Sequence, residues 1–90
     1  MNATTFEMTV SIEDERFVGA VAALVLQAAA YAGCRSTDAA QFANAVQDAI
    51  AASLEEPREQ PLLPVVVRRR SGPIEVLMNG RILSLDVRRG

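Results

Sequence analysis

The stretch Ile74-Glu75-Val76-Leu77-Met78-Asn79-Gly80-Arg81-Ile82-Leu83-Ser84-Leu85-Asp86-Val87 decides the fold. An Asn-Gly pair between two β-rich runs marks a two-residue hairpin, because both central positions of that turn need positive φ. Upstream, Leu63–Arg70 is a β-branched, extended run, and Ser71-Gly72-Pro73 separates it from Ile74 as a turn. Residues 63–88 therefore read as a three-strand meander, with strands over Leu63–Arg70, Ile74–Met78 and Arg81–Val87. Leu83, Leu85 and Val87 share one face, although Ile82 beside Leu83 blurs the alternation.

Working back from the meander, residues 55–62 form a proline-rich loop. It holds Pro57 and Pro61 (Pro64 follows) among Glu55, Glu56, Arg58 and Glu59. Before it the period changes to that of helices. Ala39, Phe42, Ala43, Val46, Ala49, Ile50 and Leu54 make one stripe of a helix over 37–54, with Ser36 or Thr37 as cap and Asp38 at its positive end. A second stripe, Phe17, Val18, Val21, Leu24, Val25, Ala28 and Tyr31, marks a helix over 13–33. Ser11 with Asp14 is its start signal and Gly33 its stop. The link Gly33-Cys34-Arg35-Ser36 is short enough to make the two helices an antiparallel pair. At the front, residues 5–12 alternate, with Phe6, Met8, Val10 and Ile12 on one face. The expected architecture is one α+β domain over 1–90: a two-layer sandwich in the order strand, helix, helix, three-strand meander, with an antiparallel or mixed sheet and both helices on one face. Should the other face carry Val65, Val67, Val76 or Leu85, a homodimer would cover it.

Composition excludes most standard chemistry. The chain has 90 residues, half of them hydrophobic, no His, one Cys, and nine basic residues that are all Arg. Histidine catalysis, a His/Cys zinc site, an intramolecular disulfide, a Schiff-base lysine and a phosphate-loop lysine are all excluded. No Gly-rich phosphate motif and no nucleophile elbow occurs. Cys34 in the helix corner reads as a small buried apolar residue, with no His or Lys beside it to activate the thiol. Glu13, Asp14 and Glu15 read as acids at a helix start. Glu55, Glu56 and Glu59 suit at most a weak, nonspecific cation, so no metal and no cofactor is expected.

The uncharged run from Phe17 to Cys34 is not read as an export signal, because its leading flank is acidic. Gln27 interrupts it, and it falls short of a membrane span. A cytoplasmic protein with no membrane partner is expected. Charge is unevenly distributed. Residues 1–60 hold three Arg and nine acids, net −6; residues 61–90 hold six Arg and two acids, net +4. On a strand, Arg68 and Arg70 point the same way, with Arg81 expected near them across the meander. No aromatic residue lies there to stack bases and the pI is near 5.0, so nucleic acid is not the expected partner. Carboxylates on a protein are the better match for Arg68, Arg70 and Arg81, through bidentate pairs.

The helical pair carries a resemblance. Phe17-Val18, then Tyr31-Ala32-Gly33-Cys34, then Ala45-Val46-Gln47-Asp48-Ala49-Ile50-Ala51-Ala52-Ser53 resembles the anti-sigma-factor serine kinase branch of the histidine-kinase-like (GHKL) ATPases. Members of that family open with a strand and a long helix. They continue through an Ala-Gly-hydrophobic turn into a helix ending in a motif like Ala-Val-x-Glu-Ala-x-x-Asn-Ala. The resemblance spans roughly residues 5–88. It implies a histidine-kinase-like fold, with Asp48 in place of the family's glutamate and Ala52 in place of its magnesium-binding asparagine. Alanine has no atom to offer a metal. The adenine-binding Asp-x-Gly-x-Gly has no counterpart with a carboxylate, the nearest candidates being Asn79-Gly80 and Arg88-Arg89-Gly90. The glycine-rich lid has none either. The resemblance then implies a trimmed, non-catalytic regulatory module that binds no ATP. It would dock a signalling protein such as a sigma factor or bind itself; a homodimer is expected separately, from the small size of the domain. Two alternatives stand beside it: a minimal Mg-ATP-binding kinase-like subunit completed by another chain, with Asp48 as base, and a small dimeric α+β domain of unassigned family.

Overall fold

In the computed structural model, residues 5–58, 60–70 and 72–87 are described. Glu59 and Ser71, and the chain end Arg88-Arg89-Gly90, lie outside the described residues. Strand β1 (Phe6–Ile12) leads through one 3-10 turn (Glu15–Phe17) into helix α1 (Val18–Tyr31), then helix α2 (Ser36–Glu55). Strands β2 (Leu63–Arg69), β3 (Ile74–Met78) and β4 (Arg81–Leu85) follow. The four strands form one sheet in the order β1-β2-β3-β4, antiparallel throughout. Both helices lie on one side of it, giving the α+β sandwich that the patterning implied.

The core follows from the two periods. Every second strand residue faces the helices: Ile12 from β1, Leu63, Val65 and Val67 from β2, and Ile74, Val76 and Met78 from β3, all buried. They meet Val18, Val21, Val25, Ala28 and Ala29 of α1, and Ala39, Phe42, Val46 and Ile50 of α2. Val65, Val67 and Val76 are therefore core residues under the helices, and Leu85 packs half-buried against the same core. None of them is on the open face, so they offer no reason for a dimer. The open face carries Val66, Leu77 and Ile82 instead.

Several boundaries differ from the sequence reading, each for a local reason. Ser11 belongs to β1. Asp14 caps the following turn alone, its carboxylate accepting from the Arg16 amide at 2.9 Å and from the Arg16 guanidinium. The chain spends residues 15–17 in that tight turn, so α1 begins only at Val18. The buried stripe of α1 is correspondingly rotated: Phe17 and Tyr31 are exposed and Leu24 sits at the rim. At its far end the amide of Cys34 donates to Ala29 and that of Gly33 to Ala30, both at 3.0 Å, with Gly33 at φ +94°. This is a Schellman closure, which needs the left-handed residue that glycine supplies. Helix α2 starts one residue earlier than expected. Arg35 holds the extended cap position, its carbonyl accepting from the Ala39 amide at 2.9 Å, and neither Ser36 nor Thr37 is the cap. β2 stops at Arg69 and β4 at Leu85.

Candidate functional site

The alternation that buries Val65 and Val67 turns their neighbours outward. On the uncovered face the register sets Thr9 beside Val66, Val66 beside Leu77 and Leu77 beside Ile82, one row across all four strands. Ile82 is 63% exposed. The next row runs Glu7, Arg68, Glu75, Ser84. Arg68 lies between two carboxylates and donates through Nε to Glu75 Oε1 at 2.9 Å. The face is thus an apolar band bordered by an acidic and basic one.

The arginine run is distributed over three environments rather than forming one patch. Arg68 faces outward. Arg69 faces the helices, half-buried, with Nε donating to the Gly72 carbonyl at 2.9 Å. Arg70 is exposed just beyond the strand, its carbonyl accepting from Thr5 Oγ1. Arg81, expected beside Arg68 and Arg70, is on the opposite face of the sheet. It pairs with Met78, an inward residue, and reaches the C-terminal end of α2. There Nη1 donates to the buried Ser53 hydroxyl at 2.6 Å, while Nη1 and Nη2 grip both oxygens of Glu56. Asn79, at φ +45° in the hairpin turn, donates to the same carboxylate at 2.7 Å. The Arg81 hydrogen bond holds the Glu56 carboxyl below its ordinary range, partly opposed by desolvation. Arg81 therefore latches the β3–β4 hairpin to α2. Beside it Arg58 donates to the Leu54 and Pro61 carbonyls at 2.7 and 3.1 Å, closing the end of the same helix.

Composition gave no hint of the latch. The available signal was Asn79-Gly80 itself: a tight hairpin puts residue 81 at the first position of the return strand, and the meander's inward parity starts from there.

Asp48 and Ala52, the positions equivalent to the family's glutamate and asparagine, are one turn apart on the exposed side of α2. None of the three surface clefts described includes either residue: one runs from Phe6 and Met8 to Leu24 and Tyr31, one from Val10 and Ile12 to Phe17 and Leu24, and one from Pro57 and Arg58 to Pro64 and Asn79. No group of three potential metal ligands occurs among the described residues. Cys34 is half-buried, and burial pushes its thiol above the ordinary value. Arg69 opposes that shift and Asp38 adds to it. No described helix is long and apolar enough to cross a membrane.

Comparison with known proteins adds no family: no family model, no curated protein and no solved structure matches the chain.

Proposed function

We propose that the chain is a non-catalytic regulatory interaction module, a degenerate relative of the anti-sigma-factor serine kinases. It acts in the cytoplasm without binding ATP, docks a signalling protein such as a sigma factor, and self-associates. The observation that carries this reading is the Val66–Leu77–Ile82 band on a sheet face left bare by both helices. Such a band, bordered by polar residues, is the composition of a protein-binding patch. Arg68 and Arg70 supply the adjoining charges, while Arg81 lies on the helix side of the sheet, bonded to Ser53 and Glu56. The exposed Asp48 and the side chain of Ala52, which offers no metal ligand, support a docking role over nucleotide chemistry.

Two measurements test it together. Calorimetry with Mg-ATP is expected to stay silent up to millimolar nucleotide. A photo-crosslinking residue at position 82, in the cells that produce the protein, is expected to give a discrete adduct with one other protein, lost in Val66→Glu and Arg68→Glu. Micromolar Mg-ATP binding that Asp48→Ala abolishes, or no heterologous adduct, overturns the proposal.

A further inference from the structure

β1 is a terminal strand of the sheet, and among the described residues nothing pairs with its outer edge. Its inward side chains Phe6, Met8 and Val10 are only half-buried, whereas Val67 and Val65, the partners of Met8 and Val10, are fully buried. The layer above that edge is the rim of α1. Two clefts lie between strand and helix. One is bounded by Phe6, Met8, Leu24, Ala28 and Tyr31, the other by Val10, Ile12, Phe17, Ala20 and Leu24. Leu24 borders both, with Met8 on one side and Val10 on the other, so it stands level with Thr9. The same contacts show that α1 runs antiparallel to β1.

We propose that this edge is the interface of a homodimer in which two β1 strands pair antiparallel into one eight-stranded sheet, with the two α1 helices packed over the seam. The proposal rests on the self-association in the reading above and assigns it a surface distinct from the sheet face.

A second copy fits because the surface is complementary to itself about a two-fold axis through Thr9. A two-fold through a residue of β1 keeps inward side chains opposite inward ones, whereas a one-residue slip mixes the faces. An axis through Thr9, the midpoint of the strand, pairs all seven residues. It sets Phe6 against Ile12, Met8 against Val10, Glu7 against Ser11, and Thr9 against itself. An axis through Glu7 opposes Glu7 to its own copy, and one through Val10 opposes it to Glu13. Both bring like charges together on adjacent strands, which is destabilising. The axis through Thr9 also passes Leu24, because the two residues are level. It then places Tyr31, seven residues after Leu24, against the partner's Phe17, seven residues before it. Phe17 is 45% and Tyr31 77% exposed, and such aromatic groups are typical interface anchors. Residues 17–34 carry no charge; the Arg16–Asp14 ion pair borders the seam at its end, with the Arg16 guanidinium 5.5 Å from the centre of the Phe17 ring. The strand is about 23 Å long and the helix about 21 Å. With the sheet-to-helix depth this gives roughly 1,000–1,200 Å² buried in total, the range of weak, concentration-dependent association just below the size of stable interfaces.

The test uses the whole chain. Sedimentation from micromolar to millimolar concentration is expected to show a monomer–dimer equilibrium, with Leu24→Glu weakening it at least ~100-fold and Ile82→Glu leaving it unchanged. Residues directly opposite in an antiparallel pair have Cα atoms about 4.5–5.5 Å apart, within the disulfide range. Thr9→Cys in a Cys34→Ala background is therefore expected to form a symmetric disulfide dimer under mild oxidation with unchanged circular dichroism, and Ile82→Cys in the same background to form none. A monomer at millimolar concentration overturns both the interface and the self-association. A dimer that survives Leu24→Glu, or that cross-links at position 82 and not at 9, overturns this interface alone.

Discussion

Val66 and Val67 are chemically identical neighbours on β2, and the register assigns them opposite fates. Val67 has no exposure and packs between Met8 and Val76 under the helices; Val66 lies on the open face between Thr9 and Leu77. Truncating Val67 to alanine removes two methyl groups from the core, each worth about 0.8 kcal/mol in transfer. The cavity left behind raises the loss to about 2–3 kcal/mol. For a domain of this size that corresponds to a Tm lowered by roughly 10–20 °C. Val66→Ala leaves solvent-accessible space that water fills, so its cost stays within about 0.5–1 kcal/mol. Urea unfolding followed by circular dichroism, at one fixed protein concentration because association adds to stability, reads the two midpoints with a common m-value. Equal losses, or a larger loss for Val66→Ala, would refute the register of β2 and with it the assignment of both sheet faces.

Three further outcomes are expected. Glu56 is held below its usual pKa by Arg81, so its contribution is fully present above the unfolded value near 4.5 and is lost as pH falls through the lower folded value; Glu56→Gln should flatten the acid limb of an unfolding midpoint measured against pH. Gly33 sits at φ +94° with open space where a Cβ would go, so Gly33→Ala should cost only the left-handed backbone penalty, about 1 kcal/mol or roughly 4–8 °C in Tm, and a neutral result would contradict the helix closure. Burial raises the Cys34 thiol, so iodoacetamide should alkylate the native protein more slowly than the urea-unfolded chain at pH 8, with the native rate still climbing above pH 9.

The sequence made the elements legible because their periods are strong. Alternation in Phe6–Ile12, the three-and-four spacing through Val46 and Ile50, and Asn79-Gly80 each have one structural solution. Element ends were less legible because they depend on competition between local hydrogen bonds. Asp14 can cap a tight turn as readily as a helix, and its bidentate grip on Arg16 selects the turn. Arg35 takes the cap position of α2 from two better-suited residues, Ser36 and Thr37, because its carbonyl already accepts from Ala39.

The site was harder to read than the fold, and Arg81 shows why. Composition places nine arginines and their sign, but parity decides which face each one joins, and parity is counted from turns. Counting from Gly80 puts Arg81 inward and Ile82 outward, the reverse of what hydropathy alone favours. The inversion is stable because α2 ends there: Ser53, Glu56 and the helix C-terminus give an inward guanidinium the acceptors it needs, which water would otherwise supply. Among the described residues nothing covers the outward isoleucine, which is 63% exposed. A guanidinium on the helix side, 38% exposed, has its partners in place; a large apolar residue outside, in line with Leu77 and Val66, extends an apolar band of the kind found on binding surfaces. On that asymmetry Ile82, rather than any arginine, is the residue through which the open face is best probed.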